Sequence, residues 1–183
     1  MATAGSLVAF PGLAADAAAE KSGTLKRKIK IGLIGCGSRG SWIATFFQKH
    51  GGFELHAIAD YFPETANTWG DKLGVDKARR FSGLHGYKKL IDSGVEAVVI
   101  EDVPAFYPEQ AKAAVEAGCH VYMAKPMAVD VPGCLTVDAA ATLATKKHLC
   151  LLVEACLRRR YLTMEELIKE NKKLEFDLTG LKV

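Results

Sequence analysis

Lys28-Ile29-Lys30-Ile31-Gly32-Leu33-Ile34 runs directly into Gly35-Cys36-Gly37-Ser38-Arg39-Gly40. The first seven residues alternate and then turn wholly apolar, as a strand does on entering a buried parallel sheet. Trp42, Ile43, Phe46 and Phe47 follow at helical spacing over 39–49. The glycines therefore lie between a strand and a helix, the setting in which G-x-G-x-x-G predicts a dinucleotide site. Gly35 allows the tight turn, Gly37 lets a pyrophosphate approach the backbone, and Gly40 lets the helix pack on the strand. The helix N-terminus offers unpaired N–H groups to the diphosphate, with Ser38 and Arg39 as further donors. Asp60 ends the next strand, twenty residues past Gly40. A carboxylate there accepts from a ribose 2′-hydroxyl and repels a 2′-phosphate, which favours NAD over NADP. Tyr61-Phe62-Pro63-Glu64 brings no Arg to hold such a phosphate. Two alternatives stay open here: glycines that serve only a turn, or another adenosine cofactor such as S-adenosylmethionine.

Outward from this loop, strand-like and helix-like stretches alternate. Strands are predicted at Phe53–Ala59, Arg80-Phe81, Val95–Ile100, His120–Met123 and Leu149–Val153. Helices are predicted at 63–73, 87–92, from Pro108 to a stop at Gly118, and over 132–147. This alternation implies right-handed crossovers and an α/β fold, a doubly wound parallel sheet in the order 3-2-1-4-5-6. Trp42 and Trp69 read as packing residues on helical apolar faces, and His120 and His148 as structural histidines. Cys36 reads as a small side chain tolerated between glycines, with a redox-sensitive thiol as the alternative.

The 183 residues are 49% hydrophobic and 25% charged, ordinary for a globular chain, which excludes disordered, collagen-like and coiled-coil classes. A net charge of +3, spread along the chain, gives no argument for nucleic acid or an anionic membrane. Five Cys without metal-ligand spacing suggest neither a disulfide framework nor a zinc site. No apolar run reaches the roughly 20 residues of a membrane-spanning helix.

After the fifth strand the chain reads Ala124-Lys125-Pro126-Met127-Ala128-Val129-Asp130. A Lys at the carboxyl end of a parallel strand faces the ligand crevice, where its ammonium can donate to a nicotinamide ribose or a substrate hydroxyl. Pro126 restrains the backbone that aims it. GLIGCGSRG, AIADYFPE, VEAVVI, EQAKAAVEAGCHVY and AKPMAVD, in this order over about 27–155, resemble the Gfo/Idh/MocA oxidoreductases. The resemblance implies an NAD(P)-binding domain of a two-domain enzyme that oxidises or reduces sugars, inositols or related polyols. It implies cofactor contacts from Gly35, Gly37, Ser38, Arg39, Gly40, Asp60, Lys125 and Pro126, with Lys125 also catalytic. Three departures stand out. Ala124 replaces the glutamate usual before Lys-Pro, Tyr107-Pro108 stands where a His is common, and Glu101-Asp102 replaces small neutral residues. Two carboxylates near a dinucleotide repel its phosphates unless they point away.

Three segments are expected: an Ala-rich leader at 1–24, the dinucleotide-binding domain at 25–155, and a short helical tail at 156–183. The leader reads as the tail of an export signal or as an Ala-rich N-terminus, so cytoplasmic and periplasmic locations both stay open. In the tail, Thr163 and Glu166 form a capping box, and Arg158-Arg159-Arg160 reads as a solvated charge run. The family's second domain, with its catalytic acid and base, is expected to be absent, because no His follows His148. The chain then reads either as the cofactor domain of an oxidoreductase or as a non-catalytic dinucleotide-binding module. Self-association is expected through strand six and the 163–173 helix.

Overall fold

The computed structural model describes residues 27–153. The leader and tail expectations, including Arg158-Arg159-Arg160, the capping box and the 163–173 helix, lie outside the described residues. Six strands alternate with five helices. They are β1 (Ile29–Ile34), α1 (Ser38–His50), β2 (Phe53–Asp60), α2 (Pro63–Leu73), β3 (Arg80–Ser82) and α3 (Gly86–Asp92). Then come β4 (Ala97–Ile100), α4 (Tyr107–Glu116), β5 (His120–Met123), α5 (Val131–Lys146) and β6 (Leu151–Val153). All pairings are parallel, in the order β3-β2-β1-β4-β5-β6. The sheet thus reverses its winding between β1 and β4, as the alternation of the sequence predicts.

The helix ends follow local chemistry. Pro63 opens α2, where a missing N–H costs nothing, and Gly51 and Gly74 end α1 and α2 in the left-handed region, at φ 81° and 72°. Asp130 caps α5 by accepting from the Gly133 N–H at 2.7 Å.

Strand residues alternate between two apolar layers. Val98, Ile100, Val121 and Met123 pack with Leu90 of α3, Val115 of α4 and Val137 of α5. Ile31, Leu33, Ile58 and Val99 pack with Ile43 and Ala44 of α1. Gly32 in β1 has no room for a side chain, because a Cβ there would lie 2.4 Å from Leu90 Cδ2.

Two strands are shorter than their apolar runs suggest. β4 starts at Ala97, although the Glu96 backbone already bonds Lys30 and His120; the Glu96 carboxylate accepts from the Lys30 N–H at 3.1 Å and pairs with Arg27 at 2.6 Å. These contacts, the backbone bond first, hold the Glu96 carboxyl below the usual range. β6 starts at Leu151, because Leu149 donates back to Ala144 and Cys150 N–H donates to His120 Nδ1 at 3.0 Å. His120 is thereby a satisfied structural histidine, and His148 is an exposed turn residue at φ 56°.

Trp42 departs from expectation. It is 55% exposed and stands edge-to-face on Phe46 instead of in the core. The helical period places it one step off the buried face of Ile43 and Ala44. Trp69 does pack against the α1 layer, with the Lys72 ammonium 4.5 Å from its ring. Among the described residues no helix is long and apolar enough to cross a membrane.

Leu90 is fully buried and fills the space above Gly32. Leu90→Ala is expected to lower stability by about 2–5 kcal/mol, read from the denaturant midpoint at unchanged slope.

Candidate functional site

The loop between β1 and α1 sits at the winding reversal, and its two glycines and Gly40 in the first turn of α1 meet different surroundings. Gly35 has φ +86°, and a Cβ there would fall 2.6 Å from the carbonyl carbon of Glu101 and from the Asp102 nitrogen. A Cβ on Gly40 would stand 1.9 Å from the Gly35 carbonyl oxygen and 3.2 Å from Glu101 Cβ. Both positions are therefore closed by neighbouring backbone. Gly37 is the opposite case, with nothing within 4 Å of where its Cβ would be. It is the N-cap of α1 and brings no side-chain cap, so the first-turn N–H groups face that opening.

Asp60 fastens this loop to the second strand. One carboxylate oxygen accepts from the Cys36 N–H at 2.8 Å and the other from the Phe62 N–H at 3.0 Å. Each oxygen keeps a second lone pair for a ligand hydroxyl. Cys36 is buried, its thiol donating to the Ala59 carbonyl at 3.5 Å. Burial first, and then the Asp60 charge, push that thiol well above its ordinary range. This favours the small packing side chain over a redox-sensitive thiol.

The two carboxylates at the exit of β4 line the same cleft as Gly35 and Gly37, and each is held by a partner. Glu101 is wholly buried, and its Oε2 accepts from Arg39 Nε at 3.0 Å, while the Arg39 side chain stays about half exposed. Asp102 accepts from the Val103 N–H at 2.8 Å and from Gln110 Nε2 at 2.7 Å. Arg39 thus neutralises the nearer acid, and Gln110 occupies the other. Ser38 is exposed beside Gly37.

A cleft of about 750 Å³ opens over the carboxyl ends of β1, β2 and β4, with Gly35, Gly37 and Asp60 on its wall. Ligands of open α/β sheets bind at this place. Tyr61, Phe62, Leu84, Val103 and Phe106, all exposed, rim it, and neither Lys nor Arg is among its lining residues. Across its floor the Tyr87 hydroxyl donates to Glu109 Oε1 at 2.5 Å. Burial, the bond to Glu109 and the charge of that residue all raise the tyrosine's pKa, so the phenol stays a donor.

The predicted residues are only partly brought together. Gly35, Gly37 and Asp60 share the cleft, and Ser38, Arg39 and Gly40 adjoin them in the chain without lining it. Lys125 is exposed at the end of β5, joined to Pro126 by a cis peptide bond, outside the cleft lining. The Tyr87–Glu109 bond, Gln110 and the apolar rim were not legible as a site, because α3, α4 and the loops after β2, β3 and β4 supply them separately. The aromatic pair directly after Asp60 was the one available signal. Among the described residues no group of three or more His, Cys, Asp or Glu is placed to hold a metal ion.

A bare helix N-terminus beneath an open Gly37, with a carboxylate at the end of β2, defines a nucleotide-binding doubly wound domain. The comparisons carry this further. Residues 29–155 match the model of the Gfo/Idh/MocA family, described as an oxidoreductase family with an NAD-binding Rossmann fold. The chain belongs to that family. It is 30% identical over 133 residues to a glycosyl hydrolase family 109 protein of Phocaeicola vulgatus, covering 70% of this chain and 25% of the relative. Among solved structures it resembles the WlbA dehydrogenase of Bordetella pertussis, in complex with NADH and UDP-GlcNAcA. That match has TM-score 0.60 and 28% identity, over 69% of this chain and 37% of that one. An oxidoreductase of Pseudomonas syringae gives TM-score 0.61 and 26% identity, over 71% and 37%. The chain spans about a quarter to two fifths of the length of these relatives.

Gly37 and Gly40 separate packing from ligand access. Gly40→Ala is expected to destabilise the domain by about 1–3 kcal/mol through overpacking. Gly37→Ala, with open space around it, should change stability by less than about 0.5 kcal/mol. Denaturant titration of both variants checks the contrast.

Proposed function

We propose that residues 25–155 form an NAD-binding domain serving an oxidoreductase that acts on sugars, inositols or related polyols. The observation that carries the reading is the open Gly37 at the uncapped start of α1, set beside Asp60 in one cleft. The first-turn N–H groups, with Ser38 and Arg39, hold the diphosphate, and Asp60 holds the adenosine ribose hydroxyls. A cleft without Lys or Arg, with a carboxylate at the ribose position, supports NAD over NADP. Bound NAD supplies a hydride acceptor at its nicotinamide. Lys125, one strand beyond the cleft, donates to the nicotinamide ribose or to a substrate hydroxyl, with Pro126 aiming its backbone.

A second reading rests on the Phocaeicola vulgatus relative, which is named a glycosyl hydrolase. Some glycoside hydrolases depend on NAD. In such an enzyme the cofactor domain serves glycoside cleavage without net oxidation. NADH accumulation with a sugar or cyclitol panel supports the first reading. Release of the leaving group from aryl glycosides without NADH supports the second. Binding without either turnover marks a non-catalytic dinucleotide-binding module.

Calorimetric titration of the chain tests the cofactor assignment directly. NAD is expected to bind more tightly than NADP, and Gly37→Val, which fills the loop opening, should weaken NAD binding by about tenfold or more. Tighter binding of NADP, or no binding of either, would overturn the assignment.

A further inference from the structure

The cleft does more than accommodate a ribose. Its two sides are apolar and face each other across a polar floor. Tyr61 and Phe62 follow β2 on one side, with Leu84 after β3. Val103 and Phe106 lie on the other side, after β4. All five are at least 40% exposed, although large apolar side chains normally find cover. Two facing apolar walls suit a flat aromatic ring, which stacks its faces on them.

The polar groups of the cleft include four carboxylates, of Asp60, Glu101, Asp102 and Glu109, beside the donors of Thr65, His85 and Tyr87. Glu109 stands in the first turn of α4, and one of its oxygens is committed to the Tyr87 hydroxyl. That bond links α3 to α4 and fixes the carboxylate's direction. Lys112, one turn further along α4, pairs with Glu116 instead. Gln110 must turn its amide nitrogen to Asp102, since a carboxylate only accepts. Its Oε1 is then an acceptor without a donor among the described residues. That oxygen is buried, so of the two it is the exposed Glu109 carboxylate that a ligand ring entering the cleft meets.

We infer that Glu109, held by the Tyr87 hydroxyl, is a specificity residue that selects a nucleotide base carrying an exocyclic amine. The inference rests on the reading that the cleft takes the adenosine half of the dinucleotide. Adenine presents an amino group where hypoxanthine presents a carbonyl oxygen. The amine donates to the Glu109 carboxylate, whereas the carbonyl sets lone pair against lone pair. Glu109 is exposed at the cleft, so the discrimination comes from the hydrogen bond it accepts from the amine and from the lone-pair repulsion it meets at the carbonyl. Asp60 and the glycine loop do not make this distinction, because both dinucleotides share the ribose and the diphosphate.

Titrating the full chain with NAD and with nicotinamide hypoxanthine dinucleotide tests the inference. The unaltered chain is expected to bind NAD about threefold to tenfold more tightly, the range of one hydrogen bond to an exposed carboxylate. Glu109→Gln keeps an acceptor for Tyr87 and offers an amide donor to the carbonyl, so the preference should vanish or invert. Tyr87→Phe should narrow the preference by releasing the carboxylate. Equal binding of the two dinucleotides by the unaltered chain would overturn the inference and leave the cofactor assignment standing. So would a preference unchanged in Glu109→Gln. Failure of NAD itself to bind would overturn both.

Discussion

Everything at the cleft depends on how closely three backbones approach at the exit of β1. The Gly35 carbonyl oxygen occupies the space of a Gly40 side chain, and the backbone of Glu101 and Asp102 occupies that of Gly35. Only then can α1 start directly behind the strand and aim its first-turn N–H groups at Gly37. A methyl group at Gly35 or Gly40 would push α1 or β4 outward and withdraw those donors. The hydrophobic layers depend on the same arrangement, since α1 brings Ile43 and Ala44 onto β1 and β2.

The charges follow from this closeness. Packing the β4 exit against the loop drives the Glu101 side chain out of solvent, where a carboxylate is costly unless paired. Arg39, next to Gly40 in the first turn of α1, supplies the partner. The acid that looked incompatible with a phosphate ligand thus forms part of the loop's own support. Asp60 has a similar double character. Its backbone contacts to Cys36 and Phe62 tie two loops together while leaving lone pairs toward the cleft. Support of the loop and attraction of a ligand are therefore hard to separate at these two residues, and Gly37 is the cleaner probe.

Legibility differed with the range of the interaction. The glycine loop, Asp60 and the six strands stood out because each is encoded within a short window of periodicity and turn chemistry. Trp42 misled, since apolar character on a helix says nothing of which neighbours reach it. Residues 95, 96, 149 and 150 looked like strand because they are mostly apolar. At these strand ends the Lys30 and Cys150 N–H groups turn to the side chains of Glu96 and His120.

The sequence by itself determined the class of fold, the order of the strands and the glycine loop with its acid. Hydrophobic period and glycine placement act locally, and parallel crossovers allow one handedness. Only the tertiary structure decided how the carboxylates are used. It set Glu101 on Arg39, Asp102 on Gln110, and Glu109 on Tyr87, pairs separated by 62, 8 and 22 residues. A carboxylate's role depends on which donor the fold brings within about 3 Å, and a linear pattern does not carry that distance.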